Sequence, residues 1–143
     1  EQVMKVKIIL LFGQIIPIVS NEKTSLDEKL DLASGKYFDI LSKNPNLPLF
    51  ILSEIQKKTS DVKSILPADK VLKNSFIINQ IQEKKPDINP FHFLLNFLSM
   101  TVFPFLGKPI LQTFEVMNDE EFQKFVEERK TLVPMWIKMM LNY

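Results

Sequence analysis

Apolar residues along this chain recur at steps of three and four, and nowhere do they hold the period of two that a half-buried strand requires. From about Gln2 to Ile18 the recurring positions are Val3, Val6, Ile9 or Leu10, Gly13 and Ile16, which predict an apolar helix ended by Pro17 and the Ser20-Asn21 pair. Ser25-Leu26-Asp27-Glu28 is a capping-box pattern, in which hydroxyl and carboxylate each satisfy the other's orphan backbone N–H. A second helix therefore starts here and runs to Lys43. It buries Leu26, Leu30, Ala33, Tyr37 or Phe38, and Leu41, and turns Asp27, Glu28, Asp31 and Lys36 to water.

Asn44-Pro45 stops that helix, and Asn46 is placed to cap a third from Leu47 to Lys57, with Pro48 in the first turn where proline is tolerated. A polar loop from Thr59 to Ser64 and the Ile65-Leu66-Pro67 step follow. Asp69 then initiates a helix carrying Val71, Leu72, Phe76, Ile77 and Ile81, closed by Lys84, Lys85 and Pro86.

The stretch from Asn89 to Gln112 organises the rest. Asn89-Pro90 reads as N-cap and first helical position, and no formal charge occurs up to Gly107. Projected at 3.6 residues per turn, Phe91, Leu95, Leu98 and Val102 form one apolar strip, and Phe93, Phe97, Met100 and Pro104 another. His92, Asn96 and Ser99 make a thin polar seam between them. A helix with two greasy faces needs cover on both, and a second copy of the chain supplies the other cover economically. Pro104, Gly107 and Pro109 predict a break near Phe103 and a shorter helical piece through Phe114.

Asn118 caps the last helix, and Asp119, Glu120 and Glu121 sit in its first turn where the macrodipole favours acids. Phe122, Phe125 or Val126, Arg129, Leu132 or Val133, Trp136 and Met140 recur along it to Leu141, with Met135 and Met139 on a neighbouring strip. Pro134 should kink this helix or open a local turn. The whole predicts one all-α domain over residues 1–143.

Composition narrows the chemistry. A chain of 143 residues can bury roughly two thirds of its unfolded surface without staples. Cysteine is absent, which removes disulfides, thiolate metal sites and cysteine nucleophiles and fits a reducing, cytoplasmic setting. Net charge is +1 without a concentrated basic patch, and none of the three glycines forms a phosphate loop. Lys57-Lys58 and Lys84-Lys85 read as solvated helix ends. The apolar run after Lys5 and Lys7 is interrupted by Gln14 and Pro17 and is short for a membrane span, so neither a signal nor a membrane association is expected. His92 is the only histidine and has no carboxylate within two turns on its face, so no catalytic or metal role is expected and the chain is read as a non-enzyme with no cofactor. Glu127, Glu128, Arg129 and Lys130 read as a solvated ion-pair face.

Two blocks carry a resemblance: Lys43-Asn44-Pro45-Asn46-Leu47-Pro48-Leu49-Phe50, and Asn89-Pro90-Phe91-His92-Phe93 continuing through Ser99, Phe103-Pro104-Phe105 and Lys108-Pro109. With Glu128-Arg129-Lys130 they resemble the C-terminal region of TetR-type transcriptional regulators, in particular a bacterial subgroup with NPxLPxF, SxxxFPFxxKP and ERK blocks. The resemblance implies a regulatory domain whose N-terminal helix-turn-helix is missing from this sequence. Glu1 would lie close to the start of the connecting helix, residues 1–20, and residues 89–142 would form a four-helix homodimer interface. DNA would be met only through the missing part.

It further implies that a small apolar inducer enters between the first helix and those behind it. Ligand candidates on inward faces are Phe12, Ile16, Tyr37, Leu41, Phe50, Phe76, Gln80, Phe93 and Phe97. Interface candidates are Leu95, Leu98 and Val102 on one helix and Phe125, Leu132, Trp136 and Met140 on the other. The rival reading is a helical interaction or assembly domain that binds no small molecule. A cavity of a few hundred Å³ separates the two.

Overall fold

In a computed structural model, residues 2–57, 64, 73 and 75–142 are described, and the regular structure among them is helical throughout. The fold is all-α. Its helices are α1 (Gln2–Val19), α2 (Leu26–Lys43), α3 (Leu47–Gln56), α4 (Phe76–Lys84), α5 (Pro90–Thr113) and α6 (Asp119–Leu141). The expected polar loop, the Ile65-Leu66-Pro67 step and a helix start at Asp69 lie almost wholly outside the described residues. A helix unbroken to Lys84 is excluded, because Ser75 is extended and α4 starts after it.

The predicted start signals govern three helices. Ser25 Oγ accepts from the Glu28 N–H at 3.1 Å, while the Ser25 N–H donates to Glu28 Oε1 at 3.3 Å. Asn118 and Glu121 repeat the exchange at 2.8 and 3.1 Å. Asn89 Oδ1 accepts from the Phe91 N–H at 3.0 Å. The Asn46 cap does not form: Asn46 is itself helical in conformation, and Leu47 donates to the Asn44 carbonyl at 3.0 Å instead.

Helix α2 is central, packing most extensively on α6 and also on α1, α4 and α5. It buries the predicted Leu26, Leu30, Ala33, Tyr37, Phe38 and Leu41. Phe38 meets Phe105, and Phe105 meets Phe122 edge-on with ring centroids 5.8 Å apart, so α2, α5 and α6 share an aromatic core. Helix α1 has the predicted bounds and a different phase. Ile8, Leu11, Ile15 and Val19 are inside, while Val3, Val6, Ile9 and Leu10 are exposed. Where almost every position is apolar, periodicity alone cannot select the inward stripe.

The break expected near Phe103 is absent, since α5 continues to Thr113. Pro104 cannot donate to the carbonyl of Met100, the residue four back. Arg129 on α6 takes that role: its Nε and Nη2 donate to the Met100 carbonyl at 3.2 and 2.9 Å. Pro134 opens no turn in α6 for the same reason. The Lys130 carbonyl that it leaves free accepts from the buried Ser34 hydroxyl of α2 at 2.9 Å. Two sequence-level helix breakers are thus accommodated by side chains from neighbouring helices.

The Glu127–Lys130 segment is therefore not a merely solvated face. Arg129 is half-buried between the rings of Phe125 and Trp136, 5.4 Å from each centroid. Lys130 pairs with Asp39 of α2 and with Glu127. By length and composition, both α1 (mean hydropathy 1.7) and α5 (mean hydropathy 1.4) could cross a membrane, which corrects the estimate that the first run is too short. Each nevertheless contributes a buried stripe to the common core.

Candidate functional site

The inward stripe of α1 does not close fully on the helices behind it. An open cleft of about 510 Å³ lies between α1, α2, α3 and α5. Leu11 and Phe12 form its α1 side, Tyr37 and Leu41 its α2 side, Pro48, Ile51 and Leu52 its α3 side, and Leu95, Leu98 and Val102 its α5 side. Among the described residues the lining contains no charged side chain, and its side-chain hydroxyls are those of Tyr37 and Ser99. The volume is in the range of small-molecule sites, and an apolar lining with few polar groups is their usual chemistry.

Adjoining this cleft is a second space of about 30 Å³ among Ile15, Ala33, Tyr37, Phe93, Phe97, Leu98 and other apolar residues. It has room for little more than a water molecule, and an apolar lining of this kind gives water no partners. Tyr37 and Leu98 border both spaces and so form the partition between them. The Tyr37 ring is held edge-on to Phe97, with centroids 6.1 Å apart. Burial pushes its phenol up to about 12.

The ligand candidates therefore divide. Phe12, Tyr37 and Leu41 line the cleft, and Phe93 and Phe97 line the inner space. Four belong to neither. Ile16 is half-buried on α1. Phe50 borders a separate surface hollow with Met4 and Leu49. Phe76 lies beneath the Lys29 ammonium, 5.0 Å from ring centroid to nitrogen. Gln80 Nε2 donates to the Thr24 carbonyl at 3.0 Å, tying α4 to the turn before α2. Leu11, Ile51, Leu52 and Leu106 line the cleft without having been foreseen. For Leu11 the missing information was the phase of α1.

The interface candidates occupy two adjoining faces. Leu95, Leu98 and Val102 are on the cleft. Phe125 and Arg129 border an open apolar groove of about 560 Å³ between α5 and α6, with Met100, Phe103 and Ile110 opposite. Trp136 is half-buried beside Arg129, Leu132 is half-buried, and Met140 Sδ lies 3.5 Å from Asn96 Nδ2. The polar seam dissolves into local contacts: His92 is exposed, Asn96 meets Met140, and the Ser99 hydroxyl donates to the Leu95 carbonyl at 2.7 Å. Among the described residues no group of three or more His, Cys, Asp or Glu side chains could hold a metal ion.

Lys29 was not foreseen at all. It is wholly buried on α2, and its Nζ donates to the Thr24 carbonyl and hydroxyl, each at 2.7 Å. Desolvation lowers its pKa, against a smaller opposing effect of Glu28. No family model matches the chain, nor does any curated protein or solved structure compared with it.

Proposed function

We propose that this chain is the sensing and dimerisation part of a DNA-binding transcriptional regulator of the TetR type, most simply a repressor acting in the cytoplasm. The observation that carries the reading is the cleft of about 510 Å³ between α1 and the helices behind it, whose described lining residues include no charged side chain. That is where the sequence resemblance calls for an inducer. A small apolar molecule seated there wedges between α1 and α3 or α5. The shift of α1 then moves DNA-reading heads attached beyond it. Two heads must fit half-sites about one helical turn apart, so a change in their spacing lowers DNA affinity. The coupling between the two events is of the order of 1–3 kcal/mol in such systems.

The second element of the proposal is a homodimer through α5 and α6. Its support is the apolar surface that these helices leave bare: Phe103 is 62% exposed and Ile110 58%, with Met135 and Met139 also exposed. The same surface favours the alternative of a helical assembly domain without a small-molecule ligand. Binding decides between them. A neutral fluorescent probe, N-phenyl-1-naphthylamine, should brighten with the wild-type chain and lose most of that signal with Val102→Trp, which fills the cleft. Equal signal in both, or none in either, rejects the sensing role. A monomer by sedimentation at micromolar concentration rejects the dimer.

A further inference from the structure

The cleft contains a chemical asymmetry that its apolar lining conceals. Tyr37 is 7% exposed, yet among the described residues no group bonds its hydroxyl. The ring is buried but the hydroxyl is not: the enclosed side-chain polar atoms without a partner among the described residues are Ser42 Oγ and Gln80 Oε1, so the Tyr37 hydroxyl is open to water. Tyr37 borders the open cleft, so a molecule seated there displaces water from the hydroxyl and loses affinity unless it offers an acceptor in its place. We propose that the ligand of this cleft is an electrically neutral lipophilic molecule with one hydrogen-bond acceptor, a ketone, ester or ether oxygen, which receives the Tyr37 hydroxyl. This inference rests on the ligand-sensing role proposed above and specifies the chemistry of that same site.

Three features fix the class. First, among the described residues no Lys, Arg, Asp or Glu lines the cleft, so an ionised ligand group beside them would be desolvated without a counter-charge. Second, the Tyr37 phenol, raised to about 12 by burial, stays protonated across the physiological range, so its O–H is always present to donate to an acceptor on the ligand. Third, the other hydroxyl, that of Ser99, already spends its proton on the Leu95 carbonyl at 2.7 Å. Among the described residues, Tyr37 is therefore the one side-chain donor in the lining with its proton uncommitted.

The test is displacement of N-phenyl-1-naphthylamine from the full chain at pH 7.5 by three twelve-carbon competitors: 2-dodecanone, dodecanoate and dodecane. The ketone should compete best, and Tyr37→Phe should weaken it about five- to tenfold relative to the probe and dodecane measured on the same variant, the value of one hydrogen bond. Because the hydroxyl bonds nothing within the protein, the same variant should keep the wild-type melting temperature. Probe binding with dodecanoate as effective as the ketone overturns the neutral-ligand inference and leaves the sensing role standing. So does a ketone affinity that ignores Tyr37→Phe. Absence of probe binding overturns both.

Discussion

The guanidinium of Arg129 caps the carbonyl of Met100 with two hydrogen bonds, 3.2 and 2.9 Å long, at the one point of α5 where Pro104 removes the helix's own donor. Hydrogen bonds from a charged donor contribute about 1.5–3 kcal/mol, and a buried acceptor left bare costs a comparable amount. Arg129→Met should therefore lower the free energy of unfolding by ~2–3 kcal/mol, read from urea melts. Arg129→Lys should restore little of it, since an ammonium lacks the planar fork. Pro104→Ala supplies a backbone N–H for the same carbonyl. In that background the cost of Arg129→Met should shrink by at least ~0.5 kcal/mol, and strict additivity would refute the pairing.

Ser34 makes the parallel case on the other face of the bundle. It is fully buried, and its hydroxyl is the donor to the Lys130 carbonyl released by Pro134. Ser34→Ala should cost about 1–2 kcal/mol, and Pro134→Ala should recover part of it. A Ser34→Ala protein that melts like wild type would show that water replaces the hydroxyl.

Lys29 links stability to pH. Burial holds its pKa below the ordinary 10.5, so between the lowered folded value and 10.5 the unfolded chain binds the proton that the folded chain releases. Stability contributed by this group therefore rises as pH climbs through that window, and the charge opposes folding below it. Lys29→Met removes both the opposition and the pH dependence. Its urea midpoint relative to wild type should be higher at pH 7 than at pH 10; a difference independent of pH rules out the linkage.

Gly13 is exposed in the middle of α1, and a methyl group added there meets nothing within 4 Å. Gly13→Ala should stabilise the protein by about 0.5–1 kcal/mol through helix propensity alone. If α1 moves during sensing, the same substitution should also weaken the response of an attached reading head. Circular dichroism melts check the first effect.

Much of this fold could be read from residue pattern alone, and the exceptions have a common physical origin. Ser25 with Glu28 and Asn118 with its acidic first turn act within four residues of themselves, so their helix starts are decided locally. The inward stripe of α2 was legible because its polar residues leave a single apolar face. In α1 and α5 nearly every position is apolar, and only neighbours select which side is buried: Leu11 rather than Leu10, Phe97 rather than Leu95. The two misread prolines needed donors far away in sequence, Arg129 and Ser34. The cleft was half legible. Phe12, Tyr37 and Leu41 follow from position on inward faces, whereas Ile51 and Leu52 enter only through the angle at which α3 approaches.

The remote caps on Met100 and Lys130 also bear on the order in which the chain assembles. Before α6 docks, α5 has an unfilled carbonyl at its midpoint, and before α2 docks, α6 has another. Neither long helix reaches its final hydrogen-bonded form alone. The middle turns of α2, α5 and α6 should then open together, with amide exchange around Pro104 and Pro134 following global unfolding, while the ends of α1 and α3 open independently and sooner.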